Sequence, residues 1–174
     1  MIGQPEVYEA LKKLNIPFEY DEHPPVPTIQ EAVKYWHREN THHCKNLFFR
    51  NHKGDKHYLV LVEHFRKVDI HFLEKKLRQG KLSFASAKRL QHYLGVTPGS
   101  VSPFGLINDR EHHVHVFLDA HLQSAEKIAF HPNDNRATLT LAYKDFLRFL
   151  DFTGNSYEFI DLSLLSREDD PTAK

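Results

Sequence analysis

The sequence predicts a single α/β (α+β) domain in which a mixed, mostly antiparallel sheet is flanked by helices. Short runs rich in aromatic and β-branched residues alternate with segments whose apolar residues recur at helical spacing. With 174 residues, 40% of them hydrophobic and 12% aromatic, the chain can bury one substantial core. We expect this domain to span residues 1–162, and residues 163–174 to form a polar, disordered tail.

The first elements follow from local signals. A helix is expected over residues 5–14, where apolar residues recur at helical spacing, and a short strand over residues 18–20. After a proline-rich break, Thr28 and Glu31 form a capping box, in which a hydroxyl and a carboxylate satisfy free backbone donors at a helix start. That helix is expected to run toward Trp36.

The middle of the chain predicts a β-hairpin followed by two helices. Residues 47–62 are rich in aromatic and β-branched types, and residues 52–55 between them supply turn chemistry. Asp69 is expected to cap one helix, and Ser86 a second one that ends at Gly95. Both helices carry basic outer faces.

The last third of the chain predicts the remaining strands and one more helix. In order, these are strands over 113–118 and 127–130, a tight turn over 132–135, a strand over 137–141, a helix around 146–150 and a strand over 157–160. Strands thus come both in succession and after helices, which is typical of a mixed sheet with helices packed against it.

Charge is distributed unevenly along a chain whose formal net charge is zero. Residues 34–89 contain 14 Lys and Arg against 5 Asp and Glu, whereas residues 1–33 contain 2 against 6 and residues 90–174 contain 7 against 12. A basic middle third could form one phosphate-facing surface, and ordinary solvated helix faces are the alternative interpretation. The candidate phosphate contacts are Lys75, Lys76 and Arg78.

The cysteine and histidine content limits the chemistry. A single cysteine, Cys44, excludes an internal disulfide, and without a signal peptide or a long apolar run we expect a cytoplasmic protein with no membrane partner. A small buried thiol is a simpler interpretation of Cys44 than a nucleophile. His113 and His115 fall on one face of a predicted strand, but no carboxylate or thiol accompanies them at a recognised metal-site spacing. We therefore expect no metal and no cofactor.

Two motifs stand out as candidate sites. The run from Cys44 to Phe49 places Lys45 and Asn46 at the mouth of an otherwise apolar strand, where a snorkelling surface lysine is the alternative. Residues 95–105 hold three of the seven glycines and two of the nine prolines. Such a loop lets backbone N–H groups converge on an anion or a carbonyl oxygen, although it could equally be a tight structural connection. The chain has no Walker loop, dinucleotide fingerprint or nucleophile elbow.

Three motifs together resemble the YbaK/ProX family of aminoacyl-tRNA deacylases. They are Lys45-Asn46-Leu47-Phe48 on a strand, the glycine- and proline-rich loop over 97–105, and Phe130-His131-Pro132-Asn133 at a turn. The likeness covers roughly residues 5–161 and is strongest to the free-standing ProX (ProXp-ala, PrdX) branch, relatives of the editing insertion domain of bacterial prolyl-tRNA synthetase. It implies hydrolysis of alanine mischarged onto tRNA(Pro), with the acceptor end of that tRNA as partner and prolyl-tRNA synthetase as a candidate second partner.

The resemblance also implies roles for individual residues. Lys45 would stabilise the charge that builds on the ester oxygen as water attacks, and in this family the terminal ribose hydroxyl is thought to help direct that water. Asn46 and His131 would orient the substrate by hydrogen bonds, with His131 as a candidate proton carrier. Loop amides around Gly99 and Ser100 are further candidate donors to the oxygen. The predicted substrate-binding residues are Pro98, Gly99, Ser100, Pro103 and Gly105.

Two alternative functions stay open at this point. One is the same reaction on another aminoacyl-tRNA, such as cysteine on tRNA(Pro), because an apolar pocket discriminates near-isosteres weakly. The other is a noncatalytic module that binds tRNA or a synthetase, which the intact Lys45, Asn46 and His131 disfavour. The sequence predicts neither the residues that measure the amino acid nor the oligomeric state.

Overall fold

Eight strands form one sheet in the computed structural model, which describes residues 1–26 and 28–161. The strands are β1 (Glu19–Glu22), β2 (Thr41–Arg50), β3 (His57–Glu63), β4 (Ser83–Phe84), β5 (His115–Asp119), β6 (Lys127–Phe130), β7 (Ala137–Ala142) and β8 (Tyr157–Ile160). Their order across the sheet is β1-β7-β6-β2-β3-β5-β8, with β4 paired to β2 as a side branch. Four of these pairings are antiparallel and three are parallel, so the predicted mixed sheet is confirmed. The predicted tail over 163–174 and the domain boundary at 162 lie outside the described residues.

The structure describes five helices, and the sequence predicts the capping residues of three of them. They are α1 (Pro5–Lys13), α2 (Ile29–Ala32), α3 (Ile70–Leu77), α4 (Ala87–Leu94) and α5 (Tyr143–Thr153), with 3₁₀ turns over Val33–Tyr35, Pro103–Asn108 and Ala120–Ser124. The side chains of Thr28, Asp69 and Ser86 each accept a backbone N–H from the first turn of their helix. Helix α4 ends at Gly95, whose φ of +64° lies in the left-handed region that glycine adopts without strain. Within the described residues, no helix is long and apolar enough to cross a membrane.

Two predicted boundaries are wrong. Strand β2 begins at Thr41, well before residue 47, so Lys45 lies inside the strand rather than at its mouth. Of the added residues, 44–46 extend the pairing with β3, whereas 41–43 pair with β6, which is so distant in the chain that no local sequence pattern predicts the pairing. Strand β5 begins at His115, and His113 lies before it and hydrogen-bonds His57 instead of sharing a face with His115.

The core lies on both faces of the sheet. Helices α1, α4 and α5 pack against one face and α3 packs against the other. Because successive side chains of a strand point to opposite faces, β3 contributes Leu59 and Leu61 to the first cluster and Val60 and Val62 to the second. A sheet buried on both faces explains why β3 reads as a continuous apolar run.

A buried asparagine closes the hairpin between β2 and β3. Asn51 is 1% exposed, and its Oδ1 accepts hydrogen bonds from the backbone N–H groups of Asp55 and Lys56, both at 3.0 Å. Its Nδ2 donates to the Asp55 carboxylate at 2.7 Å. This turn is consistent with the antiparallel register in which Lys45 lies opposite Val62.

Strand β2 changes partner along one of its edges. That edge pairs with β6 over residues 41–43 and with β4 over residues 49–50, while the other edge pairs with β3 over residues 44–50. Between the two short pairings, no described strand lies beside residues 44–48 on the first edge. The sheet is therefore split at this point, and side chains from β2, β6 and the surrounding loops can meet in the gap.

Candidate active site

A cavity of about 210 Å³ opens at the split beside β2. Its lining residues are His23, Val26, Thr28, Ile29, Ala32, Tyr35, Trp36, His43, Cys44, Lys45, Asn46, Gly99, Val101, Ala129, Phe130, His131 and Thr138. The three predicted catalytic residues, Lys45, Asn46 and His131, are all among them. Lys45 and Asn46 lie on β2 and His131 directly follows β6, and the parallel pairing of these two strands, which are far apart in the sequence, brings the three residues together.

Lys45 is a half-buried lysine with its charge unpaired among the described residues. Burial lowers the pKa of Lys45, and the positive charge of Lys67 lowers it further. Both effects act against the ammonium form. An oxyanion or a phosphate that enters the cavity would relieve both effects, so this lysine is suited to bind negative charge that appears only with substrate.

Asn46 has one half of its amide in use and the other half free. Its Nδ2 donates to the carbonyl oxygen of Val101 at 3.0 Å. A carbonyl only accepts, so this bond also fixes which way the amide points. The Oδ1 atom of Asn46 is buried and has no hydrogen-bond partner among the described residues. A buried acceptor without a partner is costly, and a donor on a bound substrate would satisfy it.

His131 follows β6 directly, and a hydrogen bond to the backbone at the start of β7 holds its ring. Its Nδ1 donates to the carbonyl oxygen of Ala137 at 2.7 Å, which leaves Nε2 as the unprotonated nitrogen. Burial lowers the pKa of His131, so the ring is neutral at pH 7. The centre of the His23 ring lies 5.8 Å from the centre of the His131 ring, and the Nε2 of His23 is 2.8 Å from the Thr138 hydroxyl. His131 therefore presents a hydrogen-bond acceptor at the cavity rather than a positive charge.

An aromatic wall closes another side of the cavity. The Trp36 ring stacks on His43, with ring centres 3.9 Å apart and an angle of 11° between the planes. Burial lowers the pKa of His43 to about 4, so this ring is neutral as well. Sequence reasoning assigned no site role to either residue. Their stacking crosses from the 3₁₀ turn after α2 to β2, a contact for which the sequence offers no local signal.

The glycine- and proline-rich loop contributes only in part to the cavity. Gly99, with a φ of +89°, and Val101 line it, whereas Pro98 is exposed beside them. Ser100 is buried, and its backbone N–H donates to the carbonyl oxygen of Thr97 at 3.0 Å. That amide is already bonded, so it is not available to an ester oxygen as the sequence suggested.

The remaining loop residues pack behind the cavity. Pro103 and Gly105 are buried in the 3₁₀ turn that follows Ser102, and neither lines the cavity. A Cβ on Gly105 would lie 2.8 Å from the carbonyl oxygen of Leu94, so the glycine permits the close approach of this turn to the end of α4. Here the loop serves as the tight structural connection that the composition also allowed.

The candidate phosphate contacts lie at a distance from the cavity. Lys75 and Lys76 are exposed in the last turn of α3, and Arg78 follows in the left-handed conformation with a φ of +52°. Lys76 Nζ lies 4.0 Å from a carboxylate oxygen of Glu158 on β8, at the opposite edge of the sheet from β1. Lys67 is the cation close enough to Lys45 to affect its pKa.

Neither Cys44 nor a metal cluster adds to this site. Burial raises the pKa of the Cys44 thiol, and the nearby charge of Glu63 raises it further, so the thiolate that a nucleophile needs is disfavoured. Among the residues that the structure describes, no group of three or more His, Cys, Asp or Glu side chains is arranged to hold a metal ion.

Comparison with known proteins identifies the family. The model of the aminoacyl-tRNA editing domain matches residues 23–149. The prolyl-tRNA editing protein ProX of Acetoanaerobium sticklandii is 41% identical over 162 residues, which cover 93% of this chain and 99% of that protein. The chain belongs to the aminoacyl-tRNA editing domain family. The resemblance seen in the three motifs is thereby confirmed, and the protein is an aminoacyl-tRNA deacylase, a carboxylic ester hydrolase.

Two further comparisons are consistent with this assignment. Prolyl-tRNA synthetase associated domain-containing protein 1 of Mus musculus is 35% identical over 153 residues, covering 86% of this chain and 90% of that protein. A crystal structure described as a trans-editing enzyme for prolyl-tRNA synthetase superposes with a TM-score of 0.67 over 91% of this chain and 97% of that chain, at 23% identity. At that identity the superposition supports the editing-domain fold alone.

Proposed function

We propose that this editing domain acts in trans to remove alanine mischarged onto tRNA(Pro), by water attack on the aminoacyl ester. The observation that carries the proposal is the meeting of Lys45, Asn46 and His131 around one small cavity, each with unused capacity to bind a ligand. The name of the ProX relative supports proline tRNA as the substrate class. The acceptor end of tRNA(Pro) is then the partner, with prolyl-tRNA synthetase as a second candidate partner and the cytoplasm as the place of action.

The transition state of ester hydrolysis explains the role of Lys45. As water attacks, negative charge develops on the carbonyl oxygen, and a preorganised cation stabilises that charge more than it stabilises the neutral ester. Burial and the charge of Lys67 both destabilise the cationic form of Lys45. Its interaction with the oxyanion is therefore stronger than that of a lysine in water.

Asn46 and His131 position the two reactants. The free Oδ1 of Asn46 is suited to accept a hydrogen bond from the α-ammonium group of the amino acid. The unprotonated Nε2 of neutral His131 is suited to accept one from the attacking water or from a ribose hydroxyl. An aminoacyl ester is reactive enough that positioning and charge stabilisation suffice, which is consistent with a sequence that lacks a nucleophile elbow.

Selection of the amino acid rests on size. Apolar residues of and beside α2, Val26, Ile29 and Ala32, line one side of the cavity. Alanine has no polar group by which a site could recognise it, so exclusion of larger side chains must distinguish it from proline. An apolar pocket separates residues that differ by one methylene by about 1 to 3 kcal/mol.

A deacylation panel tests this function. Proline tRNA charged separately with alanine, serine, cysteine or proline is incubated with the protein, with and without a chelator. We expect hydrolysis of alanine above serine, slow hydrolysis of cysteine and no hydrolysis of proline, unchanged by chelation. Faster hydrolysis of cysteine than of alanine would assign the protein to cysteine editing. Activity lost on chelation would contradict the metal-free mechanism, and tRNA binding without turnover would indicate a noncatalytic module.

A further inference from the structure

A phenylalanine is held outside the core in the turn that follows β3. Phe65 is 62% exposed. The turn around it is tight, because the backbone N–H of Arg66 donates to the carbonyl oxygen of Glu63 at 3.0 Å. The preceding N–H of His64 donates to the carbonyl oxygen of His43 at 2.9 Å, which ties the turn to β2 two residues before Lys45.

The side chain of Arg66 anchors this turn through ion pairs with two carboxylates. Its Nε lies 3.4 Å from an oxygen of the fully buried Asp119 carboxylate and 3.9 Å from an oxygen of Glu63. The same guanidinium lies 5.3 Å from the centre of the Phe65 ring. Phe65 is therefore exposed on an anchored turn, and little conformational freedom of the backbone remains to be lost when a ligand covers the ring.

A row of rings connects Phe65 to the cavity. The centre of the Phe65 ring is 5.3 Å from that of His64, and His64 is 4.7 Å from Trp36, which lines the cavity. Burial lowers the pKa of His64, and His64 lies close enough to Lys45 for the lysine charge to lower that pKa further. The exposed ring thus belongs to the rim of the candidate active site.

We propose that Phe65 is a stacking surface for an unpaired base at the 3′ end of the tRNA whose ester occupies the cavity. This inference rests on the proposed function, because an ester in the cavity carries the terminal ribose with it and forces the neighbouring unpaired nucleotides across the rim. Every base has a π-face, so an exposed ring beside cations suits single-stranded nucleic acid irrespective of sequence. The charges of Lys45 and Lys67 lie close enough to each other for Lys67 to lower the pKa of Lys45, so positive charge is concentrated beside the cavity, where a phosphate backbone would pass.

A second phenylalanine provides a matched control. Phe84, on β4, is also 62% exposed, but its ring stacks on Phe49 at 4.7 Å between centres, and it does not belong to the row of rings. If exposure of an aromatic ring to RNA were sufficient, the two residues would behave alike. If the position beside the cavity matters, only Phe65 contributes.

Binding of two uncharged RNA hairpins tests the proposal. Both have the acceptor-stem sequence of tRNA(Pro), one with the unpaired 3′-terminal CCA and one blunt-ended. We expect Phe65→Ala to weaken binding of the CCA hairpin about 10-fold and to leave the blunt hairpin unchanged. Phe65→Trp should retain binding, Phe65→Leu should lose it because the π-face is gone, and Phe84→Ala should match the wild type. Thermal melting checks that each variant is folded.

Four outcomes would overturn the proposal. They are unchanged binding of the CCA hairpin by Phe65→Ala, equal losses for Phe65→Ala and Phe84→Ala, wild-type binding of the CCA hairpin by Phe65→Leu, and equal binding of both hairpins by the wild type. Unchanged hairpin binding by Phe65→Ala with reduced binding of prolyl-tRNA synthetase would assign the ring to a protein partner instead. Because these measurements need no turnover, they are independent of the deacylation panel, and failure of the specificity proposal would be seen there alone.

Discussion

Two regions of the molecule hold histidines with lowered pKa values, and they differ in what surrounds the rings. In the cavity, burial lowers the pKa of His43 to about 4, and in the cluster of His57, His113, Arg89 and Tyr93 burial lowers the pKa of His57 to about 4. By this property alone the two regions look equally functional. Their hydrogen bonds separate them.

The histidine cluster is complete in itself. His57 is 1% exposed, its Nε2 accepts from Arg89 at 3.0 Å, and its Nδ1 donates to His113 at 2.9 Å. Its ring lies between Phe48 and Tyr93, with centres 5.6 and 4.1 Å away. Both nitrogens of the ring are satisfied, and no position is left for a ligand.

The cavity leaves polar groups unsatisfied. The Oδ1 of Asn46 has no partner among the described residues, and the ammonium of Lys45 is disfavoured until an anion arrives. The comparison teaches that a shifted histidine pKa does not mark an active site by itself. Unused hydrogen-bonding capacity beside a cavity is the more discriminating sign.

The largest effect is expected from Lys45→Ala. Removal of a charge that stabilises the transition state should reduce deacylation of Ala-tRNA(Pro) by on the order of 10²-fold or more and leave the fold intact. Single-turnover deacylation and circular dichroism measure the two properties, with Lys53→Ala, an exposed lysine of the hairpin turn, as the control. Wild-type turnover in a natively folded Lys45→Ala variant would remove this residue from the mechanism.

His57→Leu should produce the reverse pattern. The change leaves donors and acceptors on Arg89 and His113 without their partner, which should lower the free energy of unfolding by about 2 kcal/mol while turnover of the folded protein is retained. Urea denaturation measures the first effect, and His52→Leu at an exposed histidine is the control. A clear loss of activity in folded His57→Leu would show that the two regions are coupled.

The pH dependence of the free energy of unfolding gives a second test of the structural role of His57. The pKa of His57 is about 4 in the fold, below its ordinary 6.5, so the unfolded chain binds more protons between these values. Stability should therefore be full above pH 7 and fall as the pH drops through 6.5 toward 4, with His57 responsible for on the order of 1 kcal/mol between pH 7 and pH 5. Denaturation of His57→Leu should show a shallower pH slope than that of the wild type.

A smaller effect on activity is expected from Asn46→Leu. The leucine removes the acceptor that we propose for the α-ammonium group, and kcat/KM should fall about 10-fold. The same change removes a buried oxygen that has no partner, but it also removes the hydrogen bond from Nδ2 to the Val101 carbonyl, so the free energy of unfolding should fall by only about 1 kcal/mol. An activity loss that merely follows a loss of stability would argue against a positioning role for Asn46.

The smallest effect is expected from joint neutralisation of Lys75, Lys76 and Arg78 to glutamine. Fewer released counterions should weaken tRNA binding a few-fold and flatten its salt dependence, with little change in hydrolysis of a minimal aminoacyl-RNA end. Binding at several salt concentrations measures this. If affinity and slope both match the wild type, this end of α3 is an ordinary solvated surface, and the contrast between cavity and remote surface becomes sharper.

Sequence reasoning succeeded where the interaction is local. The caps at Asp69 and Ser86 and the stop at Gly95 depend on hydrogen bonds and φ angles within a few residues, and they lie where predicted. Lys45 and His131 were named because short motifs carried them. Their convergence was not foreseeable from pattern alone, because the parallel pairing of β2 with β6 joins segments that are far apart in the chain.

The site residues that sequence reasoning missed or misassigned are all positioned by contacts between segments that are far apart in the chain. Trp36 and His23 reach the cavity by ring contacts and hydrogen bonds across separate elements, and no periodicity records such a contact. Gly105 was predicted as a substrate-binding residue from loop composition, which cannot distinguish close approach to a ligand from close approach to Leu94. Composition indicates that backbone atoms must come close to something, and only the fold tells what.

The hairpin closed by Asn51 fixes the register between β2 and β3, and this register turns Lys45 toward the cavity. Side chains alternate along a strand, so a slip of one residue between β2 and β3 would turn Lys45 to the other face and bring a neighbour into its place. Turns at the surface ordinarily accept inserted residues with little harm. In this protein, a single residue added between Asn51 and Lys56 would shift the register and so change the orientation of Lys45 at the far end of the hairpin. We therefore expect evolution to tolerate substitutions in this turn more readily than changes in its length.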